Sequence, residues 1–287
     1  MEIRAFFHKI KIAFIRAWEP SIPYTDEAKC YGNCGEDNFI YMLRKEFPSC
    51  KIKKNVVIST PEGKAEIDCL VLHNNRLFAI EVKRWKGCLI EQDNGFLQEK
   101  TDAWTGETYQ KLMKSPFKQL GRAVYLLKKQ IPIKAWVNTI VFFEADELES
   151  VTTEADNIWF YRYQDLANYI ANEGKVSFGK SANAFFEKCI PADCLYANAW
   201  ENSLHCLIDR DSLRFETPQG VISPEKISSI NISHHLSYDQ LRITMLDGST
   251  KTISLENAKI QVDENDCIST YALCKLDLIE LGKTLIQ

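Results

Sequence analysis

The sequence predicts an α/β fold in two parts: a core ordered helix, three strands, helix, strand, followed by a small mainly β domain with a closing helix. Three observations carry this. Apolar residues recur with helical, then alternating, then helical spacing along residues 35–143. Beyond residue 204 short strand-like runs separated by turn signals follow one another up to a last apolar stretch. Charge divides too: residues 1–150 hold 23 Lys and Arg against 20 Asp and Glu, and residues 151–287 hold 12 against 19. The expected domains are an N-terminal amphipathic helix and linker at 1–30, the α/β domain at 31–190, and a β-rich accessory domain at 204–287.

At the start, Ile3, Phe6, Phe7, Ile10, Phe14 and Trp18 recur at helical spacing, and Pro20 and Pro23 end that segment. Arg4, Lys9, Lys11 and Arg16 interrupt it, so it reads as neither a signal peptide nor a membrane span. Docking on its own domain is preferred to a membrane surface. Gly35 and Glu36 open a helix carrying Phe39, Leu43 and Phe47 on one face, stopped by Pro48. Lys51–Ser59 alternates and is rich in Val and Ile, hence a strand. Ala65–Leu72 and Leu77–Lys83 are two further strands joined through Asn74-Asn75, residues that tolerate positive φ and suit a two-residue hairpin turn. Residues 85–113 read as a looser stretch. Ser115-Pro116 is an N-cap with proline at the first helical position, and the helix behind it buries Phe117, Leu120, Val124 and Leu127. Trp136–Phe143 has the unbroken apolar character of a strand covered on both faces.

Further on, Asn157–Tyr163 reads as a strand, Gln164–Asn172 and Ala182–Cys189 as short helices, and Pro191–Asn202 as a linker. His205–Ile208, Leu213–Glu216, Ile227–Ile232, Gln240–Met245 and Lys251–Leu255 read as short strands, and Tyr271, Leu276, Ile279 and Leu281 as the closing helix.

Composition bounds the function. With 45% hydrophobic and 26% charged residues the chain is globular, and a net charge of −4 excludes a bulk polycation. The ten cysteines fall into no zinc or disulfide framework, and reduced thiols in a cytoplasmic protein are the default expectation. No phosphate-cradling glycine loop or nucleophile elbow is present, and His234-His235 read as surface residues.

One constellation carries chemistry. Glu81 and Lys83 end an apolar strand and, two residues apart, point to one face. If Asn74 and Asn75 are the turn, the register sets Asp68 opposite Glu81. Facing carboxylates repel unless one is protonated or a cation lies between them, and a hard divalent ion with oxygen ligands meets that need. Residues 111–134 hold seven Lys and Arg and no acid. Of these, Lys118, Arg122 and Lys128 stand off the apolar stripe as candidate nucleic-acid contacts, with Lys51, Lys53 and Lys54 as further candidates. Trp85, Trp104 and Tyr109 are aromatic residues able to stack on bases, a role ranked below core packing.

Gly35-Glu36 at a helix start, Glu66-Ile67-Asp68, Glu81-Val82-Lys83-x-Trp85-x-Gly87 and Ser115-Pro116-x-x-Gln119 resemble, in order, the nuclease-related domain, NERD, a branch of the PD-(D/E)xK nucleases. The resemblance runs from about Tyr31 to Phe143. Ser115 stands where the family carries Asn, and Ile67 replaces the proline of the superfamily's name. It implies a restriction-endonuclease-like core and Mg²⁺- (or Mn²⁺-) dependent phosphodiester hydrolysis, with DNA as the expected partner. It further implies Asp68 and Glu81 as metal ligands, Lys83 as the positioner of water or stabiliser of charge, and Glu36 and Gln119 as accessory polar residues. The alternative is a catalytically silent module that binds nucleic acid or docks on a partner. The acidic C-terminal domain is expected to bind protein rather than DNA.

Overall fold

The computed structural model describes residues 20–25, 27–93, 95–101, 104–144, 148–154, 156–235, 238–256, 258–264, 267–282 and 284–285, together with Ile10, Phe14 and Trp18. The expected N-terminal helix lies outside the described residues apart from those three, which are helical and exposed. The chain forms two compact units, one of residues 27–191 and 284–287, the other of residues 1–26 and 192–283.

The first unit is α/β. Helix α1 (Glu27–Glu46) leads into strands β1 (Lys51–Thr60), β2 (Gly63–His73) and β3 (Arg76–Lys83). Helix α2 (Pro116–Gln130) and strand β7 (Val137–Phe143) follow later in the chain. With β9 (Trp159–Phe160), β10 (Ile190–Pro191) and the short strand Thr284–Leu285, these strands make a seven-stranded sheet ordered β10-β1-β2-β3-β7-β9, with Thr284–Leu285 also on β1. β7 pairs in parallel with β3 and β9, and β1, β2 and β3 pair antiparallel.

Strand alternation divides the core. Cys69, Val71, Phe78, Ile80, Val82, Ile140 and Phe142 pack with Phe39 and Leu43 of α1. Leu70, Leu72, Leu77, Ala79, Val141 and Phe143 pack with Leu120, Ala123, Val124 and Leu127 of α2. A sheet covered on both faces needs the near-continuous apolar runs that β3 and β7 carry. Ser115 caps α2, its Oγ accepting from the Lys118 amide at 3.3 Å, with Pro116 at the first position.

Residues 85–113 are not loose. They form β4 (Gly87–Gln92), β5 (Gly95–Thr101) and β6 (Thr108–Met113), which with β8 (Leu148–Thr152) make a second sheet ordered β6-β5-β4-β8. Gly87 and Gly95 take φ of 76° and 158° where an added Cβ would meet Glu99 O at 2.2 Å and Met113 O at 2.1 Å, so these close backbone approaches require glycine. Helices α3 (Tyr163–Asn172) and α4 (Ser181–Lys188) complete the unit.

In the second unit eight antiparallel strands between Asp193 and Glu280 form one sheet, over a core that includes Ile22, Leu195, Ile230, Leu241 and Ile279. Two expectations are corrected here. Residues 191–202 are no linker: Asp193–Ala197 is an inner strand, and Asn198, Ala199 and Trp200, all at positive φ, turn the chain into the next one. The closing helix is absent, since residues 273–275 make a single 3₁₀ turn and Leu278–Glu280 is a strand. Ile279 pairs with both Leu195 and Ile230, and two ladders of sheet hydrogen bonds outweigh weak helical periodicity.

Candidate active site

The β2–β3 hairpin sets the geometry. Asn74 and Asn75 have φ of 47° and 58°, as a type I′ turn requires, and pairing runs His73–Arg76 to Cys69–Ile80. The backbone ladder ends there, one residue short of Asp68 and Glu81. Asp68 replaces it with its side chain, Oδ2 accepting the Val82 amide at 2.8 Å. On the other flank β1 pairs Lys54 with Cys69 and Val56 with Ile67, which sets Asn55, at φ 51°, opposite Asp68. Asn is among the residues that tolerate this left-handed conformation, and it breaks the regular alternation of β1 at this point.

Glu81 and Lys83 share the parity of Leu77 and Ala79, whereas alternation in β2 breaks at Asp68, since Ile67 and Leu70 pack in the same core layer. Lys83 Nζ lies 2.5 Å from Glu81 Oε1 and 4.0 Å from Asp68 Oδ2. The Glu81 side chain is 0% exposed, and its Oε2 is buried with no hydrogen-bond partner among the described residues. Burial first, and then the Asp68 charge, push the Glu81 carboxyl up to about 7 against the opposing pull of Lys83. For Lys83 burial acts downward, but Asp68, Glu81 and Glu36 together override it and hold the ammonium above its ordinary value.

A cavity of about 580 Å³ opens beside these groups, lined by Glu36 and Gly32 of α1, by Val82 to Lys86, and by Gln98, Lys100, Lys111 and Met113 of the second sheet. Glu36 thus reaches Lys83 from the first helix. Neighbouring Gly35 lets that helix lie against the Arg84–Glu144 pair, since an added Cβ would meet Glu144 Oε2 at 2.5 Å. Gln119 stands exposed on α2 and does not line this cavity.

The predicted phosphate contacts are mostly engaged elsewhere. Lys118 donates to Asp93 O and Arg122 to Glu62 O, so both pin turns, while Lys128 lies 5.9 Å from the centre of the Trp136 ring. Lys53 is buried, donating to Phe186 O at 2.8 Å and Cys189 O at 2.7 Å, and so cannot meet a phosphate. Lys51 and Lys54 pair with Glu187 and Asp37. Trp85 packs on Phe96 and Phe143, whereas Trp104, 98% exposed, and the exposed Tyr109 have no core role. Lys86 and Lys100 were not singled out by sequence. Lys86 stands in the link between β3 and β4, and Lys100 on a strand that no apolar alternation announced.

No group of three or more His, Cys, Asp or Glu able to hold a metal ion occurs among the described residues. Two carboxylates are enough for Mg²⁺, which keeps several waters and takes further oxygens from a phosphate substrate. The partnerless Glu81 Oε2 and the mutual repulsion of Asp68 and Glu81 are the features a hard cation would relieve, so the donor set fits such an ion.

No helix among the described residues is long and apolar enough to cross a membrane. No curated protein and no solved structure matches the chain. The family model of the nuclease-related domain matches residues 31–144, a segment spanning α1 to the end of β7, and the broader PD-(D/E)xK superfamily is consistent with that placement.

Proposed function

We propose that the nuclease-related domain at residues 31–144 makes this chain a metal-dependent nuclease, hydrolysing phosphodiester bonds in DNA. The supporting observation is the convergence of Asp68 and Glu81 on Lys83, whose Nζ lies 4.0 Å from the one and 2.5 Å from the other, with one buried carboxylate oxygen of Glu81 lacking a partner. Asp68 and Glu81 would hold Mg²⁺ or Mn²⁺. A bound ion would polarise the scissile phosphate and lower the pKa of its water. Lys83, whose charge three carboxylates sustain, stabilises charge developing on the phosphate and is too basic to serve as a general base at neutral pH. Asp68 also orients the end of β3 through the Val82 amide, which keeps Glu81 and Lys83 aimed at the same point. Glu36 supplies a further acid at the cavity wall. Lys118, Arg122 and Lys128 of α2 are offered as outlying phosphate contacts.

A second reading is a module that binds nucleic acid or a protein partner without turnover, in keeping with no group of three or more potential metal ligands among the described residues. One assay separates the two. Purified protein is incubated with plasmid, linear and single-stranded DNA in Mg²⁺, Mn²⁺ or EDTA. Cleavage in either metal and none in EDTA is expected, with Asp68→Asn, Glu81→Gln and Lys83→Ala each inactive. Asn at 68 keeps an acceptor for the Val82 amide. Asp68→Ala leaves that amide unsatisfied and in addition lowers stability by about 1–3 kcal/mol. Binding without cleavage under every metal condition would establish the silent module.

A further inference from the structure

The β4–β6 ribbon sorts its charges by face. Gln98 pairs with Lys111 and Lys100 with Tyr109, so alternation puts Gln98, Lys100, Tyr109 and Lys111 on one face. Glu99 and Gln110 point to the other, where Gln110 Nε2 donates to Glu99 Oε2 at 2.9 Å. The first face borders the cavity beside Lys83, to which Lys100 and Lys111 contribute along with Arg84 and Lys86. Five cations therefore line this cavity against one carboxylate, Glu36. The ammonium groups of Lys100 and Lys111 have no carboxylate partner among the described residues, in contrast to Lys51 and Lys54. The ribbon is fixed in place next to the carboxylates: Gln98 Nε2 donates to Lys86 O at 2.9 Å, and Gly87 lets the start of β4 pass close to the Glu99 carbonyl of β5.

We infer that this face is the docking surface for the phosphate backbone of the nucleic-acid strand entering the site, with Lys86, Lys100 and Lys111 holding phosphates that flank the one at Glu81 and Lys83. The inference rests on the nuclease reading for the identity of the ligand, but not on turnover. A face kept cationic by strand parity and continuous with a phosphate-handling lysine suits a polyanion. An ordinary solvated face would carry Glu99 and its like on both sides. Since the contacts are ammonium to phosphate, they confer affinity and salt dependence without reading sequence.

The test measures anisotropy of short fluorescein-labelled DNA, single-stranded and duplex, with the full-length protein in EDTA across a salt series. Alongside it, cleavage is measured in Mg²⁺. Lys100→Ala/Lys111→Ala is compared with wild type and with Lys188→Ala/Lys251→Ala, which removes the same charge outside the cavity. The groove variant is expected to bind roughly tenfold more weakly and to lose about 1.5–2 from the slope of log affinity against log salt. The control variant should follow wild type. A folded groove variant with wild-type affinity and slope overturns the inference, as does a wild-type protein that binds no DNA. If binding depends on Lys100 and Lys111 but nothing is cut in any metal, the docking surface stands and the catalytic reading falls. Normal cleavage by a protein indifferent to both lysines gives the reverse.

Discussion

Glu81 is a carboxylate kept dry beside another carboxylate. It can stay ionised only with a cation on it, and in this protein the cation at hand is Lys83, 2.5 Å away. The arrangement has a cost that depends on pH. The folded protein holds the Glu81 proton up to about pH 7, whereas an unfolded chain releases it near 4.5. Between those values the native state binds the extra proton, so the contribution of Glu81 to stability is complete below pH 4.5 and is lost as pH rises towards 7. Glu81→Gln removes that dependence, and Lys83 keeps Asp68 and Glu36 as counter-charges. In metal-free buffer the variant should gain on wild type by about 1–3 kcal/mol across this window, measured by thermal unfolding at a series of pH values. Parallel pH profiles for the two proteins would show that Glu81 is not the strained group.

At the scale of elements, the register that joins Asp68 to Glu81 depends on a two-residue turn. Asn75 holds φ at 58° and also ties the turn down, its Nδ2 donating to Ser177 O at 2.7 Å and Gly179 O at 2.6 Å. Asn75→Gly keeps the backbone conformation and loses the two bonds, a cost of about 1–2 kcal/mol. Asn75→Ala adds the left-handed penalty, about 1–2 kcal/mol more. Equal denaturation midpoints for the two variants would mean that the turn conformation contributes nothing. This hairpin was legible in the sequence because its turn chemistry and the alternation of β3 agree. The ribbon at 87–113 was not legible. All but the last residue of β6 are exposed, so no apolar alternation marks the strand, and Gly87 and Gly95 read as looseness although there the backbones come closest. The strand at 193–197 was hidden for a related reason: turn-forming residues on both sides resemble a linker, and only pairing with two neighbours makes the segment a strand. The basic run of α2 shows a further limit, since sequence cannot reveal that Lys118 and Arg122 also donate to turn carbonyls.

For the whole molecule, the two units have separate apolar cores, one around Leu43, Leu70 and Leu120, the other around Leu195, Leu241 and Ile279. The chain passes between them three times, at 26–27, 191–192 and 283–284. Cores that share no residues can melt independently, so calorimetry in EDTA is expected to resolve two transitions. Leu43→Ala should lower one and Leu241→Ala the other, each by about 2–5 kcal/mol, because both side chains are fully buried. Mg²⁺ distinguishes the two further. A ligand stabilises only the unit that binds it, by about 2.7 kcal/mol at a hundred times its dissociation constant. Asp68 and Glu81 both belong to the unit of residues 27–191, so Mg²⁺ should raise the transition that Leu43→Ala lowers and leave the other in place. Asp68→Asn should abolish that rise. A metal-induced shift confined to the transition sensitive to Leu241→Ala would put the ion in the C-terminal sheet and remove Asp68 and Glu81 as its ligands. A single transition that moves as one with either leucine variant would instead mean that the three crossings couple the units into one cooperative fold.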